Sequence, residues 1–205
     1  MNIKICGITT IADAIHAAQA GATHLGLNFY PKSPRYLHPE AAGDIAQAIR
    51  SLPAPPVLVG VFVNAELQSV QKLLSSGIID LAQLHGDEPA EYQLTLGAQA
   101  YKAYRVRAGE QIFPIQTRTA PTLLVDASVA GAYGGTGQSV DFPTAQALAR
   151  QFDLFLAGGL TPENVLSAIR AVQPWGVDTA SGVESAPGKK DPAKVTAFIQ
   201  QALSI

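Results

Sequence analysis

The stretch LFLAGGLTPENVLSAIRAVQPWGVDTASG, residues 154–182, decides the fold. Residues 154–157 form an apolar run of strand length. Gly158 and Gly159 turn the chain, and Thr161-Pro162 offers a helix N-cap followed by proline at the first helical position. Helical spacing then runs to about Val172, and a second short apolar run, 176–179, ends in another turn of small residues, Ala180 to Gly182. Strand, helix and strand in this order make a βαβ unit, whose crossover leaves the strands parallel.

The alternation continues outward in both directions. Towards the N-terminus lie a strand at 3–5 and a helix capped by Thr9 or Thr10 that runs through Ala12, Ile15, Ala18 and Gln19 to Gly21. A strand at 23–29 leads into the Pro-rich loop YPKSPRYLHPE (30–40) and a helix at 40–51. Beyond the breaker PAPP (53–56) come a strand at 57–63, a helix at 65–76 and a strand at 79–84, with Asp80 at its solvent-facing start. Pro89 suits the first turn of a fourth helix. A strand at 98–106 and a helix at 109–117, with Pro114 inside it, precede the strand 122–125, which ends at Asp126. There the chain opens into the Gly-rich AGAYGGTGQ (130–138) before a helix at 142–151. After 176–179, SGVESAPGKKD (181–191) leads to a final amphipathic helix at 192–203.

Eight βα units in 205 residues average about 26 residues each. Such units can lie open as a doubly wound sheet or close into a barrel. Eight evenly spaced units predict the closed form, an α/β fold in which residues 1–205 make a single (β/α)8 TIM barrel domain.

Composition excludes several functions. Hydrophobic residues are 47% and charged residues 15%, with 18 Gly and 14 Pro, as expected of a well-filled globule with many tight turns. Fourteen Lys plus Arg against sixteen Asp plus Glu give a net charge of −2. The longest basic stretch is Lys189-Lys190, so no nucleic-acid footprint is expected. The single cysteine, Cys6, excludes an internal disulfide and a multi-cysteine zinc site, and it suits a reducing, cytoplasmic compartment. The N-terminal MNIKICGITT is broken by Asn2, Lys4 and Gly7 and reads as neither signal peptide nor membrane span, and no apolar run approaches the ~18 residues a span needs. The chain is expected as a monomer or homodimer.

In a (β/α)8 barrel, active sites are built at the C-terminal ends of the strands. Cys6 ends the first strand, either as a small buried apolar residue or as a thiolate base or nucleophile. Asp126 ends the sixth, where a carboxylate must be paired or hydrogen-bonded, as a loop anchor or as a general acid or base. Gly158 and Gly159 after strand seven, with Ser181 and Gly182 after strand eight, are either turn residues or backbone donors that cradle a phosphate. Arg35 in SPR (33–35) is either a solvated loop arginine or a bidentate partner for a carboxylate. His85 and Asp87 after strand four line the pocket or make structural hydrogen bonds. Gln83 points into the barrel mouth, and Asp178 contacts substrate hydroxyls or holds its own loop. His16, His24 and His38 read as helix or loop residues.

KICGI (4–8), GLNFYPKSPR (26–35), GVFVN (60–64), QLHGDE (83–88), VDA (125–127) with GGTG (134–137), LAGGL (156–160) and VDTASGVE (177–184) with PGKKD (187–191) run in order along essentially the whole chain. Together they resemble the phosphoribosylanthranilate isomerase family of the tryptophan pathway. The resemblance implies a barrel of the ribulose-phosphate-binding type, with a small phosphosugar substrate and neither metal nor organic cofactor. It also implies an Amadori rearrangement in which Cys6 is the general base, Asp126 the general acid and Arg35 the holder of the anthranilate carboxylate. Ala180 departs from the pattern, since the family more often has Ser there. Other phosphosugar barrels fit less well. A ribulose-phosphate epimerase is expected to supply His and Asp metal ligands at several strand ends, where only His85 qualifies. An indole-glycerol-phosphate synthase needs a catalytic lysine that GVFVN lacks. The sister histidine-pathway isomerase uses Asp where Cys6 stands, and a non-catalytic sugar-binding barrel would lose the acid and the base.

Overall fold

The computed structural model describes residues 1–106, 112, 114–117, 120–126 and 142–205. Eight parallel strands pair in sequence order: β1 (Asn2–Cys6), β2 (His24–Asn28), β3 (Val57–Phe62), β4 (Leu81–Leu84), β5 (Ala100–Arg105), β6 (Leu123–Asp126), β7 (Leu154–Ala157) and β8 (Gly176–Thr179). β8 pairs back onto β1, so the sheet closes and the open alternative is excluded. Seven helices flank it among the described residues: α1 (Ile11–Ala20), α2 (Pro39–Arg50), α3 (Leu67–Ser75), α4 (Ala90–Leu96), α5 (Phe142–Ala149), α6 (Val165–Val172) and α7 (Pro192–Leu203). A small antiparallel hairpin, β9 (Glu184–Ala186) and β10 (Lys189–Lys190), lies between β8 and α7. No helix among the described residues is long and apolar enough to cross a membrane.

Strand side chains alternate between two buried surfaces. Ile3, Ile5, Leu25, Leu27, Leu123, Val125, Leu154 and Leu156 belong to the core shared with the helices. Val59, Leu81, Tyr101, Leu124 and Phe155 make a separate cluster within the barrel. With both faces of most strands buried, they read as largely apolar runs, interrupted at Lys4 in β1 and Gln83 in β4. The helices complete the outer core at spacings of three and four, through Val165, Ala168, Ile169 and Val172 in α6 and Val195, Phe198, Ile199 and Ala202 in α7. The ends of α1 carry the signals read from sequence, and α7 has a cap that the sequence reading did not name. The Thr10 hydroxyl accepts from the Asp13 N–H, Gly21 closes α1 at φ +109°, and the Asp191 carboxylate accepts from the Ala193 and Lys194 N–H groups.

Four expectations need correction. The described part of 109–117, Ile112 and residues 114–117, is irregular. Pro114 cannot donate a helical bond, and Gln93 Nε2 donates to Ile115 O (2.9 Å) while Thr117 Oγ1 donates to Ala100 O (2.9 Å), tying the segment to α4 and β5. Second, α6 is regular only from Val165, although Thr161 caps the turn ahead of it: its Oγ1 accepts from Glu163 N (3.3 Å), its carbonyl accepts from Val165 N (3.0 Å), and Asn164 Oδ1 accepts in return from Thr161 N (2.8 Å). Third, β4 starts at Leu81, since the Asp80 carboxylate accepts from Leu58 N (2.8 Å) and pairs with Arg50 (2.9 Å). Fourth, His24 is a buried strand residue whose ring packs edge-on against Phe155 (5.1 Å) and Trp175 (5.7 Å). The Gly-rich 130–138, the GGTG motif (134–137) and Ala127 lie outside the described residues.

Candidate active site

Cys6 is the last residue of β1, and its register partner on β2 is Gly26. The thiol is buried and free. A Cβ at Gly26 would lie 2.7 Å from Cys6 Sγ, so only the missing side chain leaves room for sulfur beside the neighbouring strand. Asp126 is the last residue of β6, three strands from β1 by the shorter way round, with Arg105 and Ala157 as its register partners. Thiol and carboxylate therefore both end strands on the same rim.

Below Cys6 on the same strand face, the fully buried ammonium of Lys4 donates to Asp178 Oδ1 (2.9 Å). The two residues are register partners across the β1–β8 closure. Burial opposes the Lys4 charge, but Asp178, with lesser help from Cys6 and Tyr101, holds its pKa above the ordinary lysine value. Arg35 and Lys190 also lie within electrostatic reach of Cys6.

On the β4–β5 side the Tyr101 hydroxyl donates to Gln83 Oε1 (3.1 Å), and the Gln83 amide nitrogen lies 2.9 Å from His85 Nδ1. With the Gln83 oxygen accepting from Tyr101, its nitrogen donates to Nδ1, so a neutral His85 carries its proton on Nε2. Burial lowers the His85 pKa, against the pull of Asp126. Gln83 lies within β4 and His85 directly follows that strand. Asp87 differs: it is exposed, with its N–H held by Asn64 Oδ1 (2.7 Å).

The turns after β7 and β8 meet. Gly158 and Gly159 have φ of +103° and +65°, where side chains are disfavoured. The Thr179 hydroxyl donates to Leu160 O (2.7 Å), and a Cβ at Gly182 would come within 1.9 Å of that carbonyl. Ser181 and Gly182 belong to a 3₁₀ turn, Ser181–Val183, which brings four small residues from two strand ends to one corner of the rim. Ala180 acts there through its backbone, since its carbonyl accepts from Lys190 Nζ (3.0 Å), a contact that a serine would leave unchanged.

Arg35 is held in a way its sequence did not reveal. Its Nε and Nη2 donate to Glu184 Oε1 (2.7 Å) and Oε2 (2.6 Å). Lys4, Tyr101, Glu184 and Lys190 were not singled out from the sequence. Lys4 carried a signal: a lysine inside the apolar strand of KIC must find a buried partner.

A closed barrel with a thiol and a carboxylate on the C-terminal rim, backed by buried charge, defines the class as a (β/α)8-barrel enzyme. Comparison with known proteins narrows this. The family model for N-(5'phosphoribosyl)anthranilate (PRA) isomerase matches residues 3–201, and the chain belongs to that family of isomerases. It is 45% identical over 204 residues to the N-(5'-phosphoribosyl)anthranilate isomerase of Citrifermentans bemidjiense, covering 100% of this chain and 98% of the relative. The crystal structure of phosphoribosyl anthranilate isomerase from Thermotoga maritima superposes with a TM-score of 0.84 at 37% identity, covering 100% of both chains. A phosphoribosyl anthranilate isomerase solved in complex with reduced 1-(o-carboxyphenylamino)-1-deoxyribulose 5-phosphate superposes with a TM-score of 0.81 at 35% identity, again covering 100% of both.

Proposed function

We propose that this chain catalyses the Amadori rearrangement of N-(5-phosphoribosyl)anthranilate to 1-(2-carboxyphenylamino)-1-deoxyribulose 5-phosphate in tryptophan biosynthesis, a reaction of the cytoplasm, with Cys6 as general base and Asp126 as general acid. The observation that carries this reading is the position of these two groups on one rim of the barrel, in a chain of this family.

Asp126 gives its proton to the furanose ring oxygen. The C1–O bond then breaks, leaving a Schiff base between C1 and the anthranilate nitrogen. Cys6, as thiolate, removes the proton from C2, and the electrons move to give an enolamine. A proton reaches C1 and one leaves the C2 hydroxyl as the ketone forms, so the isomerisation needs no electron acceptor. Each positioned proton transfer contributes typically about 10²–10⁴-fold. Fixing both ends of the substrate holds C1 and C2 between acid and base. Arg35 takes the anthranilate carboxylate, and the backbone N–H groups at Gly158, Gly159, Ser181 and Gly182 take the phosphate. Gln83, His85 and Asp178 line the pocket between them.

A fluorescence assay that follows consumption of phosphoribosylanthranilate by the purified protein tests the reading. Turnover without added metal or cofactor is the expected result, and no turnover at saturating substrate would refute it.

A further inference from the structure

The contacts around Glu184 join two regions that the proposed function uses separately. Glu184 opens β9, directly after the 3₁₀ turn that follows β8. Its carboxylate accepts from Arg35 Nε and Nη2, from Lys190 Nζ (3.0 Å) and from the Gly188 N–H (3.3 Å), and its side chain is only 5% exposed. Lys190 Nζ, buried as well, also donates to the carbonyl of Ala180 at the end of β8. From the other side, the Arg35 stem lies over Gly7, where a Cβ would come within 2.4 Å of Arg35 Cδ.

Stability alone does not account for this arrangement. Burying an ion pair costs desolvation that its Coulomb attraction barely returns, and an apolar replacement of the same shape is often as stable. Position does account for it. A guanidinium is a rigid planar fork, and two donors held by one carboxylate fix its plane. Nη1 makes no hydrogen bond among the described residues and remains for a second carboxylate. Around Glu184 two cations face one anion, so the cluster has positive charge to spare for an acidic ligand.

We propose that Glu184 is a positioning residue of the isomerase site. It sets the Arg35 guanidinium with Nη1 available to the substrate carboxylate and, through Lys190 and Ala180, ties that arginine to the turn after β8, so that carboxylate recognition and phosphate binding share one anchor. This rests on the reading of Arg35 as the carboxylate holder.

The test measures binding of two probes by calorimetry: reduced 1-(o-carboxyphenylamino)-1-deoxyribulose 5-phosphate, and its phenylamino analogue lacking the carboxylate. Their affinity ratio is the carboxylate selectivity. Glu184→Gln is expected to lower that ratio about tenfold or more, the size of a lost charge-assisted contact. Arg35→Ala is expected to abolish it, and the double variant to match Arg35→Ala. Inhibition by inorganic phosphate should weaken in Glu184→Gln and stay near wild type in Arg35→Ala, which leaves the Glu184–Lys190–Ala180 contacts in place. A purely structural role for Glu184 would lower both affinities equally. Glu184→Gln with wild-type selectivity, alongside loss in Arg35→Ala, overturns the role of Glu184 and leaves that of Arg35 standing. Undiminished selectivity in Arg35→Ala overturns both. Should Glu184→Gln not fold, Glu184→Asp keeps the charge but retracts it by one methylene, and its selectivity should fall between wild type and Arg35→Ala; wild-type selectivity there overturns the proposal.

Discussion

Near the start of β7 the ring of Phe155 lies 5.0 Å from Trp175 and 5.1 Å from His24, and Gly176 on the next strand leaves the space it fills, since a Cβ there would come within 2.5 Å of Phe155 Cε1. At the opposite rim Gly26 does the same for Cys6. Both ends of the barrel thus use a strand glycine to admit a neighbour's side chain, yet the lower site admits a ring and the upper one a thiol. Between them lies the Lys4–Asp178 pair. The lower end stabilises the fold through apolar and edge-to-face contacts. The upper end keeps charges that a packed apolar layer would replace at little cost in stability. One closed sheet therefore separates holding the fold from performing the chemistry by height along its strands.

The separation can be broken at either end. Cys6→Ser and Asp126→Asn should each lower kcat by roughly 10²–10⁴-fold with little change in melting temperature. Steady-state kinetics beside thermal melts will show it, and a near-wild-type kcat in either variant removes that residue from the acid–base pair. Phe155→Ala should act the other way, costing about 3–5 kcal/mol in denaturant titrations while the folded protein keeps its kcat. A kcat loss as large as that of Cys6→Ser would mean that the two ends are not independent.

The middle layer sharpens the comparison. Asp178→Asn leaves the Lys4 charge buried without its counter-ion and should destabilise by roughly 3 kcal/mol, whereas Lys4→Met combined with Asp178→Leu should recover most of that. Chemical denaturation of both variants decides it, and equal losses would show that the pair itself stabilises.

The smallest effect is in pH. Burial keeps the His85 pKa in the folded chain below its ordinary 6.5. The unfolded chain therefore takes up that proton first, and stability should begin to fall as pH drops below 6.5. Burial alone would raise the Glu184 pKa, but the hydrogen bonds from Arg35 and Lys190 bring it below its ordinary 4.5. The stability they contribute is present above 4.5 and is lost as pH falls through the lower folded value. Thermal melts across this range should show a shallow limb and then a steeper one, and His85→Gln should flatten only the first.

Much of the barrel was legible because its signals are local. Apolar runs buried on both faces, and a threonine at the start of α1 with a glycine at its end, each act within a few residues. Among the described residues of 109–117 the expected helix does not form, because Pro114 cannot donate a helical bond. Cys6 and Asp126 could be picked out once the strands were placed, since a reactive group at a strand end has a defined position in a barrel. Glu184 could not be picked out, because its partner Arg35 lies 149 residues away.

By itself the sequence determined the eight strands, their order, and which reactive residues end which strand, because hydrophobic period and end signals operate over one or two helical turns. Closure was expected from the number of units, but only the tertiary structure decided that it brings Lys4 beside Asp178 across 174 residues. It decided likewise that the hairpin after β8 folds back to grip Arg35. Such pairings arise only when the sheet closes, and no local pattern in the chain encodes them.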